Sequence, residues 1–326
     1  LTNYLLSFKS LKKILEEIMA KRVLVATEKP FASQAVVEIK RICEEKGYEL
    51  ILNEKYTEQS DLVNAVKNVD ALIVRSDKVT SEVIENADDL KIVVRAGAGY
   101  DNLDCDAASK KNIVCMNTPG QNSNAVAELA FGMMLYMARG KFNGKSGTEL
   151  KGKTIGIHAY GNVGLNVARI AKGFDMKVIA FDPYVDKAVM EADGVEPVDS
   201  VEKLYNISDY VSVHIPSIPA TQKFIDLRLI SIMKPGAVII NTARKEVICE
   251  DSMIKILSNR EDLKYASDIA PARAEEMVNK FGDRVYFTPK KMGAQTLEAN
   301  INSGVAAINQ IIAYFEKGDT TFKVNK

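Results

Sequence analysis

The chain predicts an α/β protein built on two doubly wound parallel sheets, and three observations carry that prediction. Short β-branched runs alternate with charged, helix-prone stretches from residue 22 onward. The rhythm stops at a nearly apolar segment, residues 125–139, and then restarts. The runs amount to about ten strands, too many for one ordinary open sheet, so two sheets are expected. Composition agrees, since 326 residues that are 47% hydrophobic and 26% charged can bury sizeable cores and are not a disordered chain.

The first sheet reads as RVLVAT (22–27), ALIVRS (71–76), KIVVRA (91–96) and NIVCMN (112–117). Residues 125–139 are apolar all round apart from Glu128, which marks a buried or interfacial helix suited to a dimer contact. The second sheet reads as KTIGIHAY (153–160), KVIAFD (177–182), YVSVHI (210–215), AVIINTA (237–243), KYASDI (264–269) and RVYFTP (284–289). The last helical pattern, 297–317, is too short to be a domain and is expected to return to the first one. Pro and Gly punctuate the crossings near 117–120 and 289–294. The expected domains are therefore 19–117 with 297–326, and 118–296, with a ligand cleft between them. Residues 1–18 form an N-terminal extension in which Leu5, Leu11, Leu15 and Ile18 recur at helical spacing. It has no signal- or transit-peptide character. Met19 is the expected natural start, and the other readings are a surface helix or a membrane-surface anchor.

Forty-three Lys and Arg balance forty-three Asp and Glu without a dominant block, so neither nucleic acid nor a membrane surface is an expected partner. Four scattered cysteines and two histidines supply no metal-ligand spacing, and no metal is expected. That cysteine usage suits a reducing cytoplasm. The longest strongly apolar run, 129–138, is about half of a spanning helix.

One motif carries chemistry on its backbone. Between the strand at 154–158 and a helical pattern stands Ala159-Tyr160-Gly161-Asn162-Val163-Gly164, a Gly-x-Gly-x-x-Gly fingerprint with alanine first. Gly161 lets the main chain approach a pyrophosphate, Gly164 lets helix and strand pack closely, and the helix start offers amide donors. The next strand ends at Asp182, eighteen residues past Gly164, where a carboxylate can bind both ribose hydroxyls and repel a 2′-phosphate. NAD is thus expected over NADP. The plain alternative is a glycine turn with Asp182 capping a strand before Pro183. A Cβ at Ala159 demands altered geometry in the tight turn.

With these residues in hand the chain resembles the D-2-hydroxyacid dehydrogenases, over nearly its whole length. The matching stretches are IVRSDKVT (73–80), VVRAGAGYDNLD (93–104), MNTPGQNSNAVAE (116–128), GTELKGKTIGIHAYGNVG (147–164), INTARKEV (240–247) and TPKKMGAQTLEA (288–299). The resemblance implies a Rossmann NAD-binding domain, a smaller flavodoxin-like substrate domain, a homodimer, and hydride transfer from a 2-hydroxy acid to NAD. It implies that Arg244 binds the substrate carboxylate, a role that suits a guanidinium fork, and that Ala98 and Gly99 lend it backbone amides. Arg75 and Arg95 match positions that face a phosphate in the phosphoglycerate branch of the family. The implied reaction is oxidation of D-3-phosphoglycerate to 3-phosphohydroxypyruvate, at the start of serine biosynthesis. His214, Pro216, Thr242, Ala243 and Asp268 are implied around the cofactor, Asp268 on the nicotinamide side.

The family's His/Glu pair is missing. Its Glu position holds Arg273, and Lys290 follows Thr288-Pro289 where a histidine is usual. A short variant class of the branch carries lysine there, so Lys290 is the expected proton carrier, with Arg273 nearby to ease its deprotonation. The alternative is an anion-binding or solvent-facing lysine. Lys141 is the expected exception in an otherwise solvated linker, reaching the substrate phosphate, and no C-terminal regulatory domain is expected. Two rival functions stand beside this reading: a dehydrogenase for another 2-hydroxy acid, and an NAD-sensing interaction protein.

Overall fold

A computed structural model describes residues 20–326, and the expected extension at 1–18 lies outside the described residues. The described residues divide into two compact units, residues 20–122 with 297–326, and residues 123–296. The divisions fall a few residues beyond the Pro and Gly punctuation, and Asn117 and Thr118 are buried in the first unit.

The first unit holds strands β1 (Arg22–Thr27), β2 (Glu49–Glu54), β3 (Ala71–Val74), β4 (Ile92–Arg95) and β5 (Val114–Asn117) in one parallel sheet of order β2-β1-β3-β4-β5. Alternate residues feed two cores, Leu24, Leu72 and Val93 on one face and Val23, Ile73 and Val94 on the other. That pattern is why these strands read as continuous apolar runs. Helices α1 (Ser33–Glu45), α2 (Gln59–Ala65), α3 (Ser81–Glu85) and α4 (Cys105–Lys110) make the crossovers. The chain's last segment pins the β5 edge. Val324 donates to the Cys115 carbonyl at 2.8 Å, and the Asn325 side chain takes the Cys115 N–H at 2.8 Å and gives to the Ile113 carbonyl at 2.9 Å.

The second unit begins with α5 (Ser123–Ala138), followed by β6 (Thr154–His158), α6 (Asn162–Gly173), β7 (Lys177–Phe181), α7 (Lys187–Ala192) and β8 (Glu196–Pro197). It continues with α8 (Val201–Ile207), β9 (Tyr210–Val213), α9 (Leu227–Ile230), β10 (Val238–Asn241), α10 (Glu250–Asn259), β11 (Lys264–Ser267), α11 (Ala274–Phe281) and β12 (Val285–Phe287). Helix α12 (Leu297–Lys317) lies in the first unit, packed on α1. The sheet order β12-β11-β10-β9-β6-β7-β8 is parallel throughout, the Rossmann arrangement with one further strand. The first unit's order is the flavodoxin-like one.

Two strands depart from the sequence reading. Both β2 and β8 are edge strands, partly exposed along their length, so neither shows as an apolar run. No helix of the described residues is long and apolar enough to cross a membrane, and among those residues no cluster of His, Cys, Asp or Glu is arranged to hold a metal.

Candidate active site

In an open parallel sheet, ligands gather beyond the carboxyl ends of the strands, where the winding direction reverses. In the second unit that point lies between β6 and β9. The fingerprint turn follows β6 there and His214 follows β9. Ala159 adopts φ +79°, the left-handed conformation that favours glycine, so the alanine keeps the turn at the cost of backbone strain. The turn is held by Asp182, whose carboxylate accepts the Tyr160 and Tyr184 N–H groups, each at 2.8 Å. Two acceptor sites per oxygen leave it capacity for hydroxyl donors.

The two remaining glycines of the motif differ in their surroundings. A Cβ on Gly164 would stand 2.4 Å from the Ala159 carbonyl oxygen, so α6 packs on β6 only because that side chain is absent. A Cβ on Gly161 would meet nothing within 4 Å. Gly161 caps α6 and no side chain caps the helix, so the first amides take no side-chain acceptor and the Gly161 face beside them is open. That space and those donors fit a diphosphate. Gly161 and Asn162 are exposed and Val163 half-buried, whereas the Tyr160 ring is buried with its hydroxyl on Asp193 at 3.0 Å. Tyr160 therefore has only its backbone to offer a ligand.

Across the switch point, the His214 imidazole meets Ser212 Oγ at 2.8 Å and Thr242 Oγ1 at 3.3 Å, with Pro216 exposed beyond it. Burial, reinforced by neighbouring His158, pushes the His214 pKa down to about 3. His158, 4% exposed and contacting the Tyr205 hydroxyl at 3.2 Å, is pushed by burial to about 4, against a small opposing pull from Asp182. Both rings are neutral at pH 7. Buried Asn241 was missed by the sequence reading. Its side chain accepts the Ala243 N–H at 3.0 Å and donates to the Arg244 carbonyl at 2.9 Å, which fixes the turn that carries Arg244. An Asn closing an apolar strand before a turn is the signal that marks it.

Asp268, 1% exposed, follows β11 and faces the segment after β12. Its carboxylate accepts the N–H groups of Met292 at 2.7 Å and Gly293 at 2.8 Å and the Thr288 hydroxyl at 3.1 Å. Lys290 lies within that segment and is exposed. The expected help from Arg273 does not materialise. Its guanidinium is paired with Asp251 and Glu276, each at 2.6 Å, so its charge is spent on α10 and α11. Lys141 likewise binds the Gly282 carbonyl at 3.2 Å beside Asp283, which gives it a structural partner within the second unit.

The first unit has its own switch point, between β1 and β3, and Arg75 stands there. Its guanidinium donates to the Lys29 and Pro30 carbonyls at 3.0 and 2.9 Å and lies over the Phe31 ring, 5.3 Å from its centre. These bonds orient the charge without neutralising it. Arg95 ends the adjacent strand, gives its Nε to the Arg75 carbonyl at 2.9 Å, and crosses the face of Gly97, where a Cβ would lie 1.6 Å from Nη1. Gly97 has φ +147°, and exposed Ala98 and half-exposed Gly99 continue its turn. Asp77, also missed, sets this corner by accepting the Glu28 and Arg75 N–H groups at 2.6 and 3.1 Å and the Tyr56 hydroxyl at 2.9 Å. The two guanidiniums thus share one end of one sheet, an arrangement suited to an anion.

Residues 126–289 match the family model described as D-isomer specific 2-hydroxyacid dehydrogenase, NAD binding domain. The chain is 37% identical over 270 residues to the D-3-phosphoglycerate dehydrogenase of Methanocaldococcus jannaschii, a match covering 78% of this chain and 51% of that one. It is also 37% identical over 285 residues to the hydroxypyruvate reductase of Thermotoga maritima, covering 81% of this chain and 90% of that one. Among solved structures, the NAD+-bound 3-phosphoglycerate dehydrogenase of Entamoeba histolytica superposes with a TM-score of 0.87 at 43% identity, covering 94% of this chain and 99% of that one. The chain spans about half the length of the Methanocaldococcus jannaschii relative and 56% of the Homo sapiens D-3-phosphoglycerate dehydrogenase it also matches.

Proposed function

The chain belongs to the D-isomer specific 2-hydroxyacid dehydrogenase family, and from that premise we propose that it is an NAD-dependent dehydrogenase of D-3-phosphoglycerate. When bound, NAD supplies the acceptor for the hydride that leaves C2 of the hydroxy acid. The amides at the start of α6 and the open face of Gly161 hold its diphosphate, and Asp182 takes the ribose hydroxyls and disfavours a 2′-phosphate. His214, Pro216, Thr242 and Ala243 line its path past β9 and β10. Arg244 grips the substrate carboxylate by a two-point fork and fixes its orientation, with the Ala98 and Gly99 amides as further donors. Lys290 accepts the C2 hydroxyl proton as the C–H bond breaks, and returns it in the reverse direction.

The observation that carries the phosphorylated substrate is the Arg75 and Arg95 cluster at the carboxyl end of the first sheet. A second reading, turnover of unphosphorylated hydroxypyruvate, is favoured by the hydroxypyruvate reductase of which the chain covers 90%. The two separate cleanly in an assay with NADH. Arg75→Ala and Arg95→Ala should raise KM for 3-phosphohydroxypyruvate about tenfold or more, the worth of one charge-assisted hydrogen bond, while leaving hydroxypyruvate turnover within about twofold. Equal losses on both substrates would sink the phosphate assignment. The half-exposed apolar side of α5, with Leu129 and Leu135 flanking exposed Gly132, supports a homodimer, to be checked by light scattering. Four free cysteines, two of them buried, support a reducing cytoplasm.

A further inference from the structure

We propose that Asp77 is the positioning residue for Arg75 and through it sets the preference for a phosphorylated acid, a role that rests on the reading of Arg75 as a phosphate ligand. Asp77 is 3% exposed and stands two residues beyond Arg75, past the end of β3. A buried carboxylate must find donors to offset its lost hydration. Asp77 finds them on three neighbouring strand ends, since β2, β1 and β3 are adjacent in the sheet. Its Oδ1 accepts the Glu28 N–H, just past β1, at 2.6 Å and the hydroxyl of buried Tyr56, just past β2, at 2.9 Å. Its Oδ2 accepts the Arg75 N–H at 3.1 Å.

Both ends of Arg75 trace back to that carboxylate. The main-chain end is held directly. The guanidinium end rests on the Lys29 and Pro30 carbonyls, which follow Glu28, the residue whose N–H the carboxylate fixes. Residues 28–32 form neither helix nor strand, so no ladder of backbone bonds keeps those two carbonyls in place. Asn102, in the loop after β4, supports the same corner by donating to the Asp77 carbonyl at 2.7 Å. Asp77 thus acts on Arg75 through main-chain groups and not as its counter-ion, and the guanidinium keeps its charge for an anion. An arginine fixed before its ligand arrives loses less side-chain freedom on binding. The gain falls on the phosphate, because the substrate carboxylate is assigned to Arg244.

Asp77→Asn in the full chain keeps the size of the side chain and turns one acceptor into a donor, so at least one of the three groups loses its partner. Tyr56→Phe is milder, withdrawing one donor while both main-chain N–H groups keep their acceptor. In an assay with NADH, Asp77→Asn should raise KM for 3-phosphohydroxypyruvate about tenfold, the scale of one charge-assisted hydrogen bond, and Tyr56→Phe about threefold. In both variants kcat with that acid, kcat/KM for hydroxypyruvate and NADH affinity by fluorescence titration should stay within about twofold. Asp77→Asn added to Arg75→Ala should raise KM by less than about twofold over Arg75→Ala alone, because the carboxylate acts through the arginine. A parental KM for 3-phosphohydroxypyruvate in Asp77→Asn, or in Tyr56→Phe where the first variant does not fold, beside an elevated one in Arg75→Ala, overturns the positioning role and leaves the phosphate reading standing. An equal loss on both acids marks a merely structural carboxylate and overturns that role too. A parental KM in Arg75→Ala removes the phosphate reading, and the role of Asp77 falls with it.

Discussion

Replacing Gly161 and Gly164 by alanine, one at a time, should give opposite phenotypes from two positions three residues apart. At Gly164 the new methyl would lie 2.4 Å from the Ala159 carbonyl oxygen and 3.1 Å from Ile157 Cγ2. The first obstacle is backbone in a turn already strained at φ +79°, so α6 must move away from β6. Overpacking of this kind costs about 1–3 kcal/mol. For a unit of this size about 2 kcal/mol lowers Tm by roughly 4–8 °C. At Gly161 the methyl enters open space with φ −84° and ψ −161°, a conformation alanine adopts freely. The loss there is the small preference of a helix N-cap for glycine over alanine, below about 1 kcal/mol. The methyl instead occupies the room assigned to the diphosphate, and NADH binding should weaken at least about tenfold, or about 1.4 kcal/mol. Thermal unfolding without cofactor and fluorescence titration with NADH separate the two effects. Parental NADH affinity in Gly161→Ala would refute the cradle, and a parental Tm in Gly164→Ala would refute the close-packing argument.

Acid should destabilise the second unit through His158. An imidazole whose folded pKa, about 4, lies below its ordinary 6.5 contributes stability that is complete above pH 6.5 and is lost as pH falls toward 4. The loss approaches about 3 kcal/mol, and urea midpoints at pH 7.5 and 5.0 should differ less in His158→Gln than in the parent. Asn325→Ala leaves the Cys115 N–H and the Ile113 carbonyl without their partner. It should lower the stability of the first unit by about 2–4 kcal/mol while NADH affinity is unchanged, as read by urea unfolding and titration.

What the sequence made legible follows from burial. Strands such as β3, β4, β9 and β10 are covered on both faces and announce themselves as apolar runs, whereas edge strands β2 and β8 carry no such signal. The fingerprint turn was legible because its chemistry resides in glycine spacing, which sequence displays directly. The corner residues Asn241 and Asp77 were not, since a buried polar side chain is recognised by the backbone groups it binds, and these become neighbours only on folding. Arg273 shows the same limit from the other side. Its residue type and position suggested a cation beside Lys290, yet Asp251, 22 positions away in sequence, claims the guanidinium. The sequence reading expects Asp268 on the nicotinamide side of the cofactor, whereas the hydrogen bonds its carboxylate takes from residues 288–293 could be seen only in three dimensions.

With Lys290 as its proton carrier, this chain should interconvert D-3-phosphoglycerate and 3-phosphohydroxypyruvate. The most direct measurement follows NADH absorbance with 3-phosphohydroxypyruvate, for the parent chain and for Lys290→Ala. Turnover at a kcat/KM well above that for hydroxypyruvate, lost by at least about 100-fold in the variant as general acid–base catalysis implies, is the predicted result. A parent chain that binds NADH and turns over neither acid, or a Lys290→Ala variant as active as the parent, would contradict it.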